Sequence, residues 1–176
     1  VDRGCKSFPA LANSDPDCVD VAAVYGTLAA AVAAIGSGVE AVCVTNVQTV
    51  AADLTVPRTL TVKVSRGGMI SVASGTMVTV NGPFEAPLRK VFSGPGVVRF
   101  STLKDIPVQW FGAVGDGVHD DAEAIQLAID AAQSMPGLSQ NMSVVLGAGI
   151  FKVDSTITVA GANKGIAIIG APFASL

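Results

Sequence analysis

Short runs in which apolar and polar residues alternate fill the middle of the chain, from about residue 39 to residue 101. In the clearest run, Leu60, Val62 and Val64 alternate with polar residues. This pattern is typical of a half-buried strand, because successive side chains point to opposite faces. Turn residues such as Gly67-Gly68 separate the runs. Strands of about five residues that recur about every eight to ten residues predict an all-β sandwich, barrel or solenoid.

The dipeptide Asn81-Gly82 bears on the choice between these folds. It would favour a hairpin if a second alternating strand followed it. Residues 83–87 do not alternate, so a corner of a β-solenoid fits better. Solenoid corners need small or left-handed residues, and the interior needs β-branched ones. The chain supplies both, and we therefore expect successive coils that pair in parallel.

A short helix is predicted before the first of these strands. Leu28, Val32 and Ile35 recur at helical spacing. Thr27 can cap the start of the helix, and Gly36 can end it. The sequence therefore predicts a helix of two to three turns with one apolar stripe.

A second helix is predicted to interrupt the strands. Asp120 or Asp121 occupies its N-cap position, Glu123 lies in the first turn, and Pro136-Gly137 ends it. One narrow apolar face consists of Ile125, Ala128, Ile129 and Ala132. Strands are expected to resume at residues 143–146, 149–153, 156–159 and 166–169.

Composition and charge exclude several classes of protein. Only 14% of the 176 residues are charged and 50% are hydrophobic, which is opposite to the balance of disordered chains. The net charge is −3 and the 11 basic residues are scattered, whereas nucleic-acid binders show a basic stripe. The uncharged stretch from Val21 to Val39 approaches the roughly 20 residues of a membrane span. It is too rich in alanine and glycine, so we predict no membrane span.

Three cysteines leave the redox state open. Cys5 and Cys18 flank a polar segment, and a bridge between them is one hypothesis, worth about 3 kcal/mol in an oxidising compartment. Buried or free thiols at these two positions and at Cys43 are the equal alternative. No Cys-x-x-Cys pair exists and His119 is the single histidine, so the sequence predicts neither a metal site nor a cofactor.

One segment resembles a known family. Residues 109–132 read QWFGAVGDGVHDDAEAIQLAIDAA, and residues 144–153 read VVLGAGIFKV. The first run resembles the opening motif of the pectate-lyase-like superfamily, whose members include many bacteriophage tailspikes. It departs at Ala122, where threonine is usual, and at 145–147, where an aromatic residue and proline are common. The resemblance extends over about residues 24–170.

The resemblance implies a mainly β fold, a right-handed parallel β-helix with a capping α-helix and an inserted α-helix. We expect residues 1–23 to form an irregular N-terminal arm. Residues 24–176 would be the N-terminal part of the β-helix domain, truncated at its C-terminal end. Mean hydropathy of +0.56 favours oligomerisation, and the resembling spikes are trimers.

The resemblance also implies a function. We expect a leading segment of a tailspike-like protein that binds or degrades polysaccharide, serving to cap, attach and trimerise the β-helix. The implied partners are a homotrimer, other virion tail proteins and polysaccharide, and the location is a virion tail or the extracellular space. One alternative is a secreted polysaccharide lyase or glycoside hydrolase whose catalytic coils lie beyond residue 176. The other is a purely structural virion or assembly protein.

No catalytic residue is expected within this chain, because the acid/base residues of the resembling enzymes usually lie on later coils. The candidate substrate-binding residues are Trp110, Asp116 and His119: aromatic rings stack on sugars, and a histidine beside aspartates can carry protons. The structural alternative makes Trp110 a plug and His119 a solvated loop residue. The scaffold of the motif is expected to comprise Gly112, Gly115, Asp116, Gly117, Asp120 and Asp121.

Overall fold

The computed structural model describes residues 17–133, 142–159 and 166–170. These residues form fifteen strands, three α-helices and one 3₁₀ helix. The elements are β1 (Val19–Asp20), α1 (Val21–Val24), α2 (Leu28–Ile35), β2 (Glu40–Val44), β3 (Val47–Val50), β4 (Leu54–Val56), β5 (Leu60–Val64), β6 (Met69–Val72), β7 (Met77–Val80), β8 (Phe84–Glu85), β9 (Phe92–Ser93), β10 (Val97–Phe100), β11 (Asp105–Pro107), the 3₁₀ helix (Val108–Phe111), β12 (Asp116–Asp120), α3 (Ala122–Gln133), β13 (Met142–Leu146), β14 (Ile150–Lys152) and β15 (Ile166–Gly170).

The strands from β2 to β10 stack as three coils. Strands β2, β3 and β4 lie in three different sheets, and the next two sets of three strands join those sheets in the same order. In the first sheet Val42 lies opposite Val62, and Val62 lies opposite Phe84. Every strand pairing among the described residues is parallel. The predicted mainly β, parallel arrangement is confirmed, and it is consistent with a parallel β-helix.

The corner at Asn81-Gly82 shows why the coils need small residues there. Strands β7 and β8 belong to different sheets, so the dipeptide does not form a hairpin. A Cβ atom on Gly82 would overlap the carbonyl oxygens of Leu60 and Pro57 in the coil below. The close approach of two stacked coils therefore requires glycine at this position.

The interior is aliphatic in the first two coils and aromatic above them. Strand β5 shows the alternation clearly, with Leu60, Val62 and Val64 buried between half-buried polar neighbours. Five of the nine aromatic residues form a cluster with ring centroids 5.2–6.0 Å apart. The cluster consists of Phe84, Phe92, Phe100, Trp110 and Phe111. Because these rings are buried, they contribute strongly to the core.

Helix α2 covers the start of the first coil, and the predicted helix is confirmed. Thr27 accepts a hydrogen bond from the amide of Ala30 (3.1 Å), and Gly36 ends the helix with a φ of 57°. Leu28 and Ala31 are buried, and the amide of Leu28 donates to the side-chain oxygen of the buried Gln48 (2.9 Å). The apolar stripe of α2 thus faces the coil interior.

The N-terminal residues differ from the irregular arm expected for residues 1–23. Residues 1–16, including Cys5, lie outside the described residues, but residues 19–23 form β1 and most of α1. The predicted Cys5–Cys18 bridge is wrong, because Cys18 is bonded to Cys43. Parallel pairing of β1 with β2 brings these two cysteines together, a proximity that sequence spacing does not reveal.

The later coils contain the inserted helix. Ile106 lies opposite Val144, and Val144 lies opposite Ile168. The chain therefore uses 38 residues to complete the coil from Ile106 to Val144, and 24 residues to complete the coil from Val144 to Ile168. The additional length contains α3, which packs on the 3₁₀ helix, β10 and β13. The strand predicted at 156–159 is not formed, and the predicted helix end at Pro136-Gly137 lies outside the described residues.

Candidate functional site

The loop from Gly112 to Asp121 joins the 3₁₀ helix to α3 and includes β12. Gly112, Gly115 and Gly117 have φ angles of 111°, 69° and 74°, in the left-handed region that glycine adopts without strain. These backbone angles give the loop its tight path. They bring a set of carboxylates to the N-terminal end of α3.

Asp121 is the buried carboxylate of this loop. Its side chain is almost fully enclosed and accepts hydrogen bonds from the amides of Val114 (2.7 Å) and Gly115 (3.1 Å). Its main-chain carbonyl accepts from the amide of Ile125 (3.0 Å) at the start of α3. The carboxylate therefore binds the preceding loop, while the main chain begins the helix.

Asp120 connects the start of α3 to the segment that follows β14. One of its oxygens accepts from the amides of Ala122 (3.0 Å) and Asp154 (3.1 Å). These hydrogen bonds, the one from Asp154 first, together with the nearby Lys152 ammonium, lower the pKa of Asp120 below its usual value. Asp120 is thus an ionised acceptor at the first turn of α3.

Asp116 and His119 contact each other at the surface. One oxygen of Asp116 accepts from the amides of Val118 and His119 (both 2.8 Å), and the other lies 3.1 Å from Nδ1 of His119. The hydrogen bond from the His119 amide, then that from Val118, lowers the pKa of Asp116 to about 2. Such a carboxylate is a poor proton acceptor near neutral pH. It can instead accept hydrogen bonds from hydroxyl groups of a ligand.

Trp110 lies apart from this pair, inside the coils. Its ring centroid is 5.2 Å from that of Phe84 and 6.0 Å from that of Phe100, and the residue is only 6% exposed. An enclosed indole has no free face on which a sugar could stack. The structure therefore brings together two of the three predicted substrate-binding residues, and it places Trp110 in the core.

A groove of about 580 Å³ lies between α3 and the corner that joins β9 to β10. Aromatic and aliphatic carbons form part of it, and ionisable groups lie along it. Its lining includes Lys90, Pro95, Phe111, Glu123, Leu127 and Asp130. Sequence reasoning missed this groove, because its two walls come from different coils and no local pattern marks either wall as facing the other.

The described residues contain no group of three His, Cys, Asp or Glu side chains that could hold a metal ion. Within that same part of the chain, no helix has both the length and the apolar character that crossing a bilayer requires.

One comparison with known proteins matches the later part of the chain, fewer than half of its residues. A protein-family model described as "Rhamnogalacturonase A/epimerase, pectate lyase-like" matches residues 106–175. The match includes the loop, α3, part of β11 and the strands β12 to β15, and it supports the pectate-lyase-like superfamily, a polysaccharide-acting family. Searches of curated proteins and of solved structures found no match.

Proposed function

We propose that this chain is the leading segment of a tailspike-like protein that binds or degrades polysaccharide, and that it caps and attaches a right-handed parallel β-helix. The observation that carries the proposal is the position of α2, whose buried Leu28 and Ala31 face the interior of the first coil. From this closed end, strands stack in parallel up to β15. The first coil of a β-helix needs a covering element such as this helix, because its unpaired strand edges and apolar interior would otherwise promote aggregation.

The attachment and trimerisation proposed here rest on the later coils. Among the described residues from 114 to 169, seven large apolar side chains are 45–74% exposed: Val114, Val118, Ile150, Val153, Val159, Ile168 and Ile169. Exposed apolar side chains mark an interaction site when they form a contiguous patch, and we propose that they do so here. In the proposed homotrimer, neighbouring subunits cover these residues, and the location is a virion tail or the extracellular space.

Any glycan contact made by this segment is proposed to fall on Asp116 and His119. Both side chains are accessible, with exposed fractions of 40% and 71%. Together they offer carboxylate acceptors and an imidazole to sugar hydroxyl groups. Trp110, being enclosed, is left out of the proposed contact.

The second candidate is an enzyme, a polysaccharide lyase or glycoside hydrolase. It is favoured by the matched family, whose description names a rhamnogalacturonase and an epimerase. Glycosidic cleavage by hydrolases uses a carboxyl group with a raised pKa as the acid, whereas Asp116 and Asp120 have lowered values. The catalytic carboxylates of such an enzyme are therefore proposed to lie on other coils.

Analytical ultracentrifugation tests the proposed trimer. The chain is expected to sediment at about three times its 17.7 kDa mass. Ile169→Glu, on β15, is expected to give monomers, whereas the control Leu88→Glu changes an even more exposed residue of the third coil (71% against 46% exposed) and should leave the trimer intact. A wild-type chain that stays monomeric at high concentration would refute trimerisation.

A polysaccharide assay tests whether this chain carries enzymatic activity itself. The 176-residue chain is incubated with an acidic polysaccharide, and reducing ends and unsaturated products are measured. The chain is expected to release neither, because catalytic carboxylates are proposed to lie on other coils. Release by the chain would overturn that placement and favour the enzyme over the capping segment.

A further inference from the structure

The disulfide between Cys18 and Cys43 joins the N-terminal strand to the first coil. The two Cα atoms are 5.6 Å apart, and the cysteines are separated by 25 residues. Strand β1 has only two residues, which pair with Val42 and Cys43 of β2. A pairing this short contributes little by itself, so the covalent bond is the main restraint on β1.

One side chain supplements the covalent bond. Asp20 accepts a hydrogen bond from the amide of Ala23 (2.9 Å), which caps α1, and another from the hydroxyl of Thr45 (2.8 Å) just after β2. Val21, the first residue of α1, is fully buried. Strand β1 and α1 therefore form one unit, the N-terminal clasp (residues 18–24), which is held by the disulfide, Asp20 and Val21.

The N-terminal clasp covers an edge that would otherwise be open. In the first sheet the order is β1-β2-β5-β8, so β2 pairs with the second coil on one side and only with β1 on the other. β1 covers this edge at Val42 and Cys43. When β1 leaves, the backbone of β2 at these two positions loses its partner, and an unpaired strand edge is a template for pairing with other chains.

We infer that the Cys18–Cys43 bond is a redox latch that holds the N-terminal clasp on the edge of β2 only under oxidising conditions. Cys43 is buried and Cys18 is half-buried, so an attacking thiolate reaches the sulfur of Cys18. A dithiol reductant forms a mixed disulfide there, Cys43 leaves as a thiolate and takes up a proton, and the second thiol of the reductant releases Cys18. Closing the latch reverses these steps and uses a small-molecule disulfide as the oxidant, which is reduced to two thiols.

The latch is independent of the proposed role in polysaccharide processing, and peptide-resolved hydrogen exchange tests it. Peptide mapping without reduction should first find Cys18 linked to Cys43. Reducing and alkylating the folded chain should then raise the opening equilibrium constant of residues 18–24 on the order of a hundredfold. This factor follows from the stabilisation expected of a bond that closes a loop of this length. Exchange in β2 should rise as well, while β5 to β7 keep their protection.

Two variants complete the test. Cys18→Ser should reproduce the reduced exchange pattern, and Cys5→Ser, which replaces a cysteine outside the described residues, should match the oxidised wild type. A Cys5–Cys18 linkage, or unchanged exchange in residues 18–24 after reduction, would overturn the latch. A loss of protection in β5 to β7 would also overturn it, because the bond would then stabilise the whole fold. If Cys18→Ser does not fold, the reduced wild type still decides the question.

Discussion

At the residue scale, replacing the buried Asp121 tests most strongly what holds the loop between Gly112 and Asp121 in place. Asp121→Ala would leave the amides of Val114 and Gly115 without partners in an enclosed site. Each unsatisfied buried donor costs about 1–3 kcal/mol. We therefore expect the free energy of unfolding, measured with urea, to fall by about 2–4 kcal/mol, more than the roughly 1 kcal/mol typical of a lost helix cap.

The matched control for Asp121 is Glu123→Ala, which removes an exposed carboxylate from the first turn of the same helix. Its expected cost is below about 1 kcal/mol. Equal effects of the two substitutions would mean that Asp121 acts only through the charge that it places near the helix.

A second prediction at this scale concerns pH. Asp116 has a pKa of about 2 in the folded chain against an ordinary value of 3.8. Since the folded pKa is the lower one, the stabilisation is present above about pH 4 and is lost as the pH falls towards 2. NMR of the side-chain carboxyl carbon should show its midpoint near 2. In Asp116→Asn, this part of the acid dependence of stability should disappear, whereas a wild-type midpoint at or above 3.8 would contradict the hydrogen bonds from Val118 and His119.

At the element scale, α2 should tolerate charge on one face only. Ala31 is fully buried against the first coil, and Ala33 on the same helix is exposed. Ala31→Asp buries an unpaired carboxylate, so it should lower the free energy of unfolding by about 3 kcal/mol or more. Ala33→Asp should cost less than about 1 kcal/mol. Thermal unfolding of both variants checks this, and similar losses for the two would show that α2 does not cover the coil.

Gln126 of α3 binds the segment after β14. Gln126 accepts from the amide of Thr158 (2.8 Å) and donates to its carbonyl (2.9 Å) and to Asp130 (2.9 Å). Gln126→Glu removes the donor and sets a carboxylate beside Asp130. Hydrogen exchange in residues 153–159 should increase about tenfold, from roughly 1–2 kcal/mol of lost hydrogen bonding. Glu123→Gln on the same helix is the control, and unchanged exchange in Gln126→Glu would mean that the segment is held by other contacts.

Elements with local sequence signals could be predicted, whereas elements that depend on tertiary contacts could not. Alternation along β5 and the cap at Thr27 are local signals, so strands and α2 were predictable. The segment 156–159 alternates too, but its backbone at Thr158 bonds to Gln126 rather than to a strand. Likewise Cys43 became the partner of Cys18 because β1 pairs with β2, and that register is set by tertiary packing.

At the scale of the whole molecule, the family motif of the candidate site could be recognised from the sequence, but the packing around the site could not. The motif around residues 109–132 indicated the superfamily that the family match supports. The enclosure of Trp110 and the groove beside α3 both depend on how coils stack. Neither could be read from spacing along the chain, because each joins residues from different coils.

The stacking of parallel coils is the central claim, and interstrand NOEs between backbone protons test it most directly. The expected contacts join strands about one coil apart, such as Val42 with Val62 and Val78 with Val98, in parallel register. Contacts of antiparallel type between consecutive strands, for example between β6 and β7, would contradict the stacked coils.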